Sequence, residues 1–396
     1  MGIRWELKYT ILALCFLTWF FNQLNRFLIP PAVPLIRQEF GLNATEASLL
    51  MTMLLLPYAF AQTPFGALSD RIGTKKVIIF CVFLYSIMAL FTGLATDFIQ
   101  LLFFRILTGF ADGGHYAPSS AWLSEYFPPN ERGKAFGIYM SAIPLSAAVA
   151  PLMIVPSIGW RLPFFISAIP GFLLVILLLI VKEPKNPKVD SPKKPSQGAG
   201  TSRVFLNAPL VKLAFGYALV LFSVFGFITF LPSYIFTRYN VSITVAGLFS
   251  SVYYYLWLVG GPTGGVLSDK MDSKRLWLTY LPVTAVMLFL LSVVQNLAVL
   301  IITLIFLGFC RGTQSPLLMN HTSSLSPPEA VGFTFGFVNT ISFIGSAVGP
   351  VVTGIAIDNL GYESAFIILS VIMIIPLILI VSLPKPNKSK TNATRV

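Results

Sequence analysis

Gly66-Ala67-Leu68-Ser69-Asp70-Arg71 is followed by Lys75-Lys76, and 199 residues further on the chain repeats itself. The second copy reads Gly265-Val266-Leu267-Ser268-Asp269-Lys270, followed by Lys274-Arg275. The same offset holds well outside the motif. Thr45, Ala47 and Leu49 match Thr244, Ala246 and Leu248, and Gly109-Phe110 and Gly113 match Gly308-Phe309 and Gly312. Pro128-Pro129, Gly133 and Gly137 match Pro327-Pro328, Gly332 and Gly336, and Ala148-Val149 and Pro151 match Ala347-Val348 and Pro350. One ungapped offset across so many positions means two homologous halves in tandem.

The composition says what solvates them. Of the 396 residues, 56% are hydrophobic and 11% are charged, and the mean hydropathy is +0.80. A soluble domain carries about 25% charge, so lipid must cover most of this surface. A membrane helix needs about 20 apolar residues. Twelve such stretches are expected: roughly 9–31, 46–67, 75–95, 98–120, 133–155 and 162–181, then 209–232, 243–267, 275–294, 298–320, 332–355 and 363–383. Hydrocarbon leaves no partner for free backbone groups, so helices are the expected spanning form. The expected fold is an all-α membrane protein of two pseudo-symmetric six-helix bundles. Doubled halves of this kind are the construction of a secondary transporter.

The net charge of +12 is placed by topology rather than by nucleic acid. Lys and Arg collect in alternate loops: Arg4 and Lys8; Arg71, Lys75 and Lys76; Arg132 and Lys134; Lys182 to Arg203; Lys270, Lys274 and Arg275; and Lys385 onward. The intervening loops hold mainly Arg37, Arg161 and Arg238. The positive-inside rule then puts both termini in the cytoplasm of a cell-membrane protein. The domains are expected at 1–181 and 209–384, joined by a Lys/Pro/Ser/Gly-rich cytoplasmic linker at 182–208 and followed by a tail at 385–396. No cleavable leader is evident, and the first apolar stretch is expected to remain as a span. Cys15, Cys81 and Cys310 lie in apolar stretches without metal or disulfide spacing. No cofactor is expected, and neither a nucleophile set nor a phosphate loop suggests an enzyme.

Gly66-x-Leu68-x-Asp70-Arg71-x-Gly73-x-Lys75-Lys76 resembles the loop 2–3 signature of the major facilitator superfamily, with 265–275 as its degenerate partner. Pro128-Pro129-Asn130-Glu131-Arg132-Gly133 is similar to another superfamily element. A narrower resemblance lies in Asn22-Gln23-Leu24-Asn25-Arg26 and in Arg105-x-x-x-Gly109-x-x-Asp112-Gly113. It is to the anion:cation symporters of sialic acid, hexuronate and galactonate. This resemblance implies a carboxylate-binding Arg26 and an Arg105–Asp112 pair with Asp112 carrying the proton. The chain has Asn25 where that family often has an acid, and Asp112 where it often has Glu.

Charges inside spans cost about 2.5–3.5 kcal/mol each, which makes them functional candidates. Arg26 has Asn22 one turn before it, and Arg105 and Asp112 are two turns apart. Asp112 and Arg311 occupy equivalent positions in the two halves, so both are expected to face one cavity, approaching each other or sharing a substrate. Protonation of Asp112 would then free Arg311 for an anion. His115 could assist proton transfer or serve as a polar helix contact. Arg105 could brace helices, and Arg26 could snorkel toward an interface. Tyr58, Gln62, Gln314 and Asn339 complete the expected lining, and of Tyr253 to Tyr255 only one or two can face inward. Gly66, Asp70, Arg71, Gly73, Arg132, Asp269 and Lys270 are gating candidates, through charges at helix ends. The expected partners are a small organic anion (a monocarboxylate or sugar acid), protons and the bilayer, with a monomer as the working form. The alternative is a proton-antiport exporter of drugs or metabolites. Span five reads Ser146-Ala147-Ala148-Val149-Ala150-Pro151, without the exporters' glycines.

Overall fold

The computed structural model describes residues 6–181, 207–327 and 330–383. The expected linker and tail fall outside the described residues, apart from the edges of those ranges. Apart from one isolated bridge between Val155 and Gly159, the described regular structure is helical. In the first half the helices are α1 (Leu7–Phe27), α2 (Ile29–Phe40), α3 (Ala44–Ile72), α4 (Thr74–Leu94), α5 (Phe98–Tyr126), α6 (Pro129–Met153) and α7 (Leu162–Ile180). Then come α8 (Ala208–Tyr239), α9 (Ile243–Lys270), α10 (Ser273–Val293), α11 (Leu297–Leu325), α12 (Val331–Ile372) and α13 (Ile374–Val381).

Among the described residues, ten helical segments are long and apolar enough to cross a membrane. Large apolar side chains cover their outer faces: Ile99, Phe60, Ile180 and Ile378 are all more than half exposed. Surface of that character requires lipid, and the protein is a multi-pass integral membrane protein. α5 is not among the ten; it carries Arg105, Asp112 and His115. The last two expected spans are joined in one helix interrupted at Gly361, whose φ of 82° leaves the helical region. The first expected span runs further than its apolar stretch. Pro30 and Pro31 have no N–H to donate, so α1 stops and α2 starts one residue later.

The chain divides into two compact units. One comprises residues 1–35 and 53–193, the other 36–52 and 194–396. In the first unit α1 packs on α5, α6 and α7, and α4 packs on α5 and α7. Gly113 brings α5 against the backbone of α3, where an added Cβ would lie 2.7 Å from the Tyr58 carbonyl oxygen. In the second unit α8 packs on α12, α9 on α11, and α10 on α11, α12 and α13. The repeat reproduces the close approach: Gly312, the equivalent of Gly113, packs against the carbonyl of Trp257, the equivalent of Tyr58. Gly345 and Gly349, spaced for helix crossing, meet the backbone of α8 at Ala218 and Phe222.

The basic loop residues also have structural work, which the insertion rule alone does not supply. Lys75 donates to the Val181 carbonyl at the end of α7. Its repeat partner Lys274 donates to the Val381 and Leu383 carbonyls at the end of α13, at 2.7 and 2.5 Å. Each ammonium therefore meets the negative end of the last helix of its half. In the second unit, Asp358 accepts from the Ala44 and Thr45 N–H groups at 2.8 Å each and from Thr45 Oγ1 at 2.6 Å. This carboxylate satisfies the free donors at the start of α3. Asp358→Ala is expected to cost about 1.5–3 kcal/mol, the range for hydrogen bonds to a charged group. A lowered unfolding temperature in detergent checks this, and an unchanged one refutes it.

Candidate functional site

In the first unit, three side chains from two helices meet around one carboxylate. α1 presents Asn22 and Arg26 one turn apart. Asn22 Nδ2 donates to Asp112 Oδ1 at 2.6 Å. Arg26 Nη2 and Nε donate to Asp112 Oδ2 at 3.0 and 3.3 Å. The other face of the guanidinium lies over the Tyr58 ring, 4.4 Å from its centroid. Asp112 has no exposed surface and Arg26 is 3% exposed. Among the described residues, Asp112 is the one buried carboxylate. An ion pair so far from water is held by its geometry and its extra hydrogen bonds.

The carboxylate of Asp112 is held by Arg26. The reason is local: a four-residue spacing on α1 aims both Asn22 and Arg26 at one point on α5. Arg26 therefore does not snorkel away.

Arg105 is fully buried but faces neutral groups. Its Nη2 donates to Thr92 Oγ1 at 2.6 Å and to Asn25 Oδ1 at 3.3 Å, and Nη1 donates to the Asn25 carbonyl at 3.4 Å. Phe164 lies under it, 5.4 Å away. Arg105 thus ties α5 to α1, α4 and α7, and it positions Asn25 next to Arg26. His115 is likewise enclosed. Thr18 Oγ1 donates to the Leu14 carbonyl, so it accepts from His115 Nε2 at 2.9 Å. Nδ1 then accepts from Ser119 at 3.3 Å and Tyr139 at 3.5 Å. The ring stacks on Trp19 at 5.1 Å. These contacts occupy both ring nitrogens. Of the two readings open for His115, the polar helix contact fits this geometry.

In the second unit the equivalent positions carry different chemistry. Tyr58 becomes Trp257, Asp112 becomes Arg311, Asn22 becomes Leu221 and Arg26 becomes Phe225. The Arg311 guanidinium lies 4.6 Å from the Trp257 centroid. A cation over an aromatic ring thus recurs, but it now comes from α11, and the acid is gone. Arg311 Nη1 donates to Tyr217 Oη at 3.4 Å and Ser315 Oγ at 3.3 Å. Its Nε has no partner among the described residues. Gln314 is fully buried, and neither amide atom has a partner among the described residues. Leaving buried polar groups unpaired costs about 1–3 kcal/mol each. Tyr253 and Tyr254 are buried and Tyr255 is 42% exposed, as three successive helical residues require. Gln62 on α3 and Asn339 on α12 are half-buried.

The gating candidates lie at helix ends. Asp70 and Arg71 are exposed in the last turn of α3, at its C-terminus. Gly66 is one turn earlier, and Gly73, at φ 98°, makes the turn into α4. Arg132 donates from Nε to the Phe127 carbonyl and from Nη2 to the Ser124 carbonyl, capping α5 at 2.9 and 2.8 Å. Lys270 is the exposed last residue of α9, and the side chain of Asp269 lies outside the described residues.

The Major Facilitator Superfamily model matches residues 15–235 and 213–396, together almost the whole chain. The chain belongs to the Major Facilitator Superfamily. It is a transporter and not an enzyme. The hexuronate transporter of Bacillus subtilis (strain 168) is 24% identical over 98% of this chain and 97% of its own length. The probable galactarate/D-glucarate transporter GudP of the same organism is 27% identical, covering 91% of this chain and 88% of its own. The probable sulfoacetate transporter SauU of Cupriavidus necator is 27% identical, covering 93% and 92%. Among solved structures, a bacterial homolog of the human lysosomal transporter Spinster superposes with a TM-score of 0.79. That match has 21% identity and covers 94% of this chain and 96% of the other, so it speaks for the superfamily fold.

Proposed function

We propose that this protein couples the uptake of a small organic anion, a sugar acid, to protons by alternating access, in the cell membrane and as a monomer. The observation that carries this reading is the buried triad of Asn22, Arg26 and Asp112. An ionised Asp112 occupies Arg26. A protonated Asp112 is an uncharged donor and releases the guanidinium to a carboxylate. Proton and anion then load together and leave together. Among the described residues, three buried arginines against one buried acid favour an anionic cargo over a cationic drug. The relatives named for hexuronate, galactarate and glucarate support a sugar acid as that cargo.

Twelve spans follow if α5 crosses despite its charges and the helix broken at Gly361 is counted as two. Both termini then lie in the cytoplasm, and 1–181 and 209–384 act as the two bundles. Arg105 serves as a brace for the triad, and Tyr58 as the platform for Arg26. Asp70, Arg71, Arg132 and Lys270 are assigned to gating at the cytoplasmic turns.

Reconstitution into liposomes with an imposed pH gradient tests the proposal. An acidic exterior is expected to drive accumulation of a labelled hexuronate, galactonate or galactarate. Dissipating the gradient should leave only equilibration. Efflux of a cationic compound against proton entry, with no movement of any acid, would replace this reading with the exporter.

A further inference from the structure

The two halves have diverged in opposite directions from one template. At the Asp112 position, the first unit holds an acid whose partners, Arg26 and Asn22, are supplied within the unit. At the equivalent position, the second unit holds Arg311, whose partners are two neutral hydroxyls. At the His115 position, the first unit holds a ring with both nitrogens engaged. At the equivalent position, the second unit holds Gln314 with neither amide atom engaged, although the residue is fully buried. Buried atoms without a partner among the described residues occur in the first unit too, such as Arg105 Nε and Gln23 Oε1, but at these two positions the first unit's side chains are engaged, whereas Gln314 engages neither amide atom and Arg311 leaves Nε free.

Resting on the sugar-acid reading above, we propose that Arg311 and Gln314 form the recognition element of the second unit: Gln314 reads a hydroxyl of the cargo, and Arg311 takes an acid group where the cargo carries one besides that released to Arg26. Residues three apart on a helix stand about 5–6 Å apart at Cβ. That spacing suits an acid group and a hydroxyl on the neighbouring carbons of one small molecule. A primary amide offers a donor and an acceptor on one plane, and a hydroxyl both accepts and donates. A plain carboxylic acid leaves the amide unsatisfied. The element therefore selects polyhydroxylated acids over their deoxygenated counterparts. Gln314 is a specificity residue in this scheme, and the Trp257 ring fixes the plane of Arg311 from the opposite side.

Equilibrium binding at one fixed pH, by calorimetry on the purified full-length protein, tests this without requiring coupling. The probes are two pairs with the same carbon skeleton: galactonate with hexanoate, and galactarate with adipate. In the native protein the hydroxylated member of each pair should bind more tightly. Gln314→Leu, close to glutamine in size, should weaken the hydroxylated acids by on the order of tenfold or more, as expected when a site that hydrogen-bonds a hydroxyl loses it. The plain acids should change by less than about twofold, since they never used the amide. If the leucine variant does not fold, Gln314→Met is measured instead. An equal loss on both members of a pair, or no loss on either, overturns the role of Gln314 and leaves the transport reading intact. Tighter binding of hexanoate or adipate in the native protein overturns the sugar-acid selection alone. If none of the four anions binds, both readings fall together.

Discussion

Arg26→Ala is expected to destabilise the protein by about 3–5 kcal/mol, the cost of stranding one member of a buried ion pair. Asp112 has no exposed surface, so water cannot replace the guanidinium. Asn22 alone would remain on the carboxylate, through one hydrogen bond. The variant would therefore unfold at lower temperature in detergent, and it would not accumulate an anion under any gradient. The diagnostic result comes from the double variant Arg26→Ala/Asp112→Asn. Removing the stranded charge should restore most of the lost stability while transport stays absent. Stability that stays low in the double variant would mean that Arg26 matters through its packing on Tyr58, and the ion-pair account would be wrong. Residues in direct contact are where such non-additivity is expected.

The all-helical membrane fold was legible because its signals are redundant: the long apolar stretches and the superfamily loop motif each point to it. The buried charges were legible for a related reason: an Arg or Asp inside an apolar run has few innocent explanations. Their pairing was not legible. The one-turn spacing of Asn22 and Arg26 puts both on one face of α1, but it is the close approach of α5 that lets both reach one carboxylate. Helix identity was also clearer than helix ends. Pro30 and Pro31 break the first apolar stretch, whereas a single glycine at 361 interrupts a helix that continues on either side. The closed contacts of His115 depend on Thr18, Ser119 and Tyr139 converging from three helices, and no spacing along the chain announces that convergence.

Asp112→Asn should uncouple the transporter while leaving its anion pathway open. Asparagine keeps the size of the side chain and an oxygen that Arg26 can still donate to. It removes the negative charge and the proton site together. In the native protein, Arg26 alternates between an internal carboxylate and an external anion, and proton binding decides which. In the variant, the internal competitor is permanently neutral. Gradient-driven accumulation is therefore expected to fall to simple equilibration, since the anion no longer travels with a proton. Exchange of labelled for unlabelled anion across liposomes without a gradient should persist. Anion affinity at neutral pH should rise toward that of the native protein in acid, because both states present Arg26 without a charged rival. The sign separates this scheme from a permanent structural salt bridge. If Arg26–Asp112 were only a pin between α1 and α5, the asparagine variant would lose stability and exchange together, and its anion affinity would show no gain. Accumulation that still follows an imposed pH gradient in the variant would remove Asp112 from the coupling altogether.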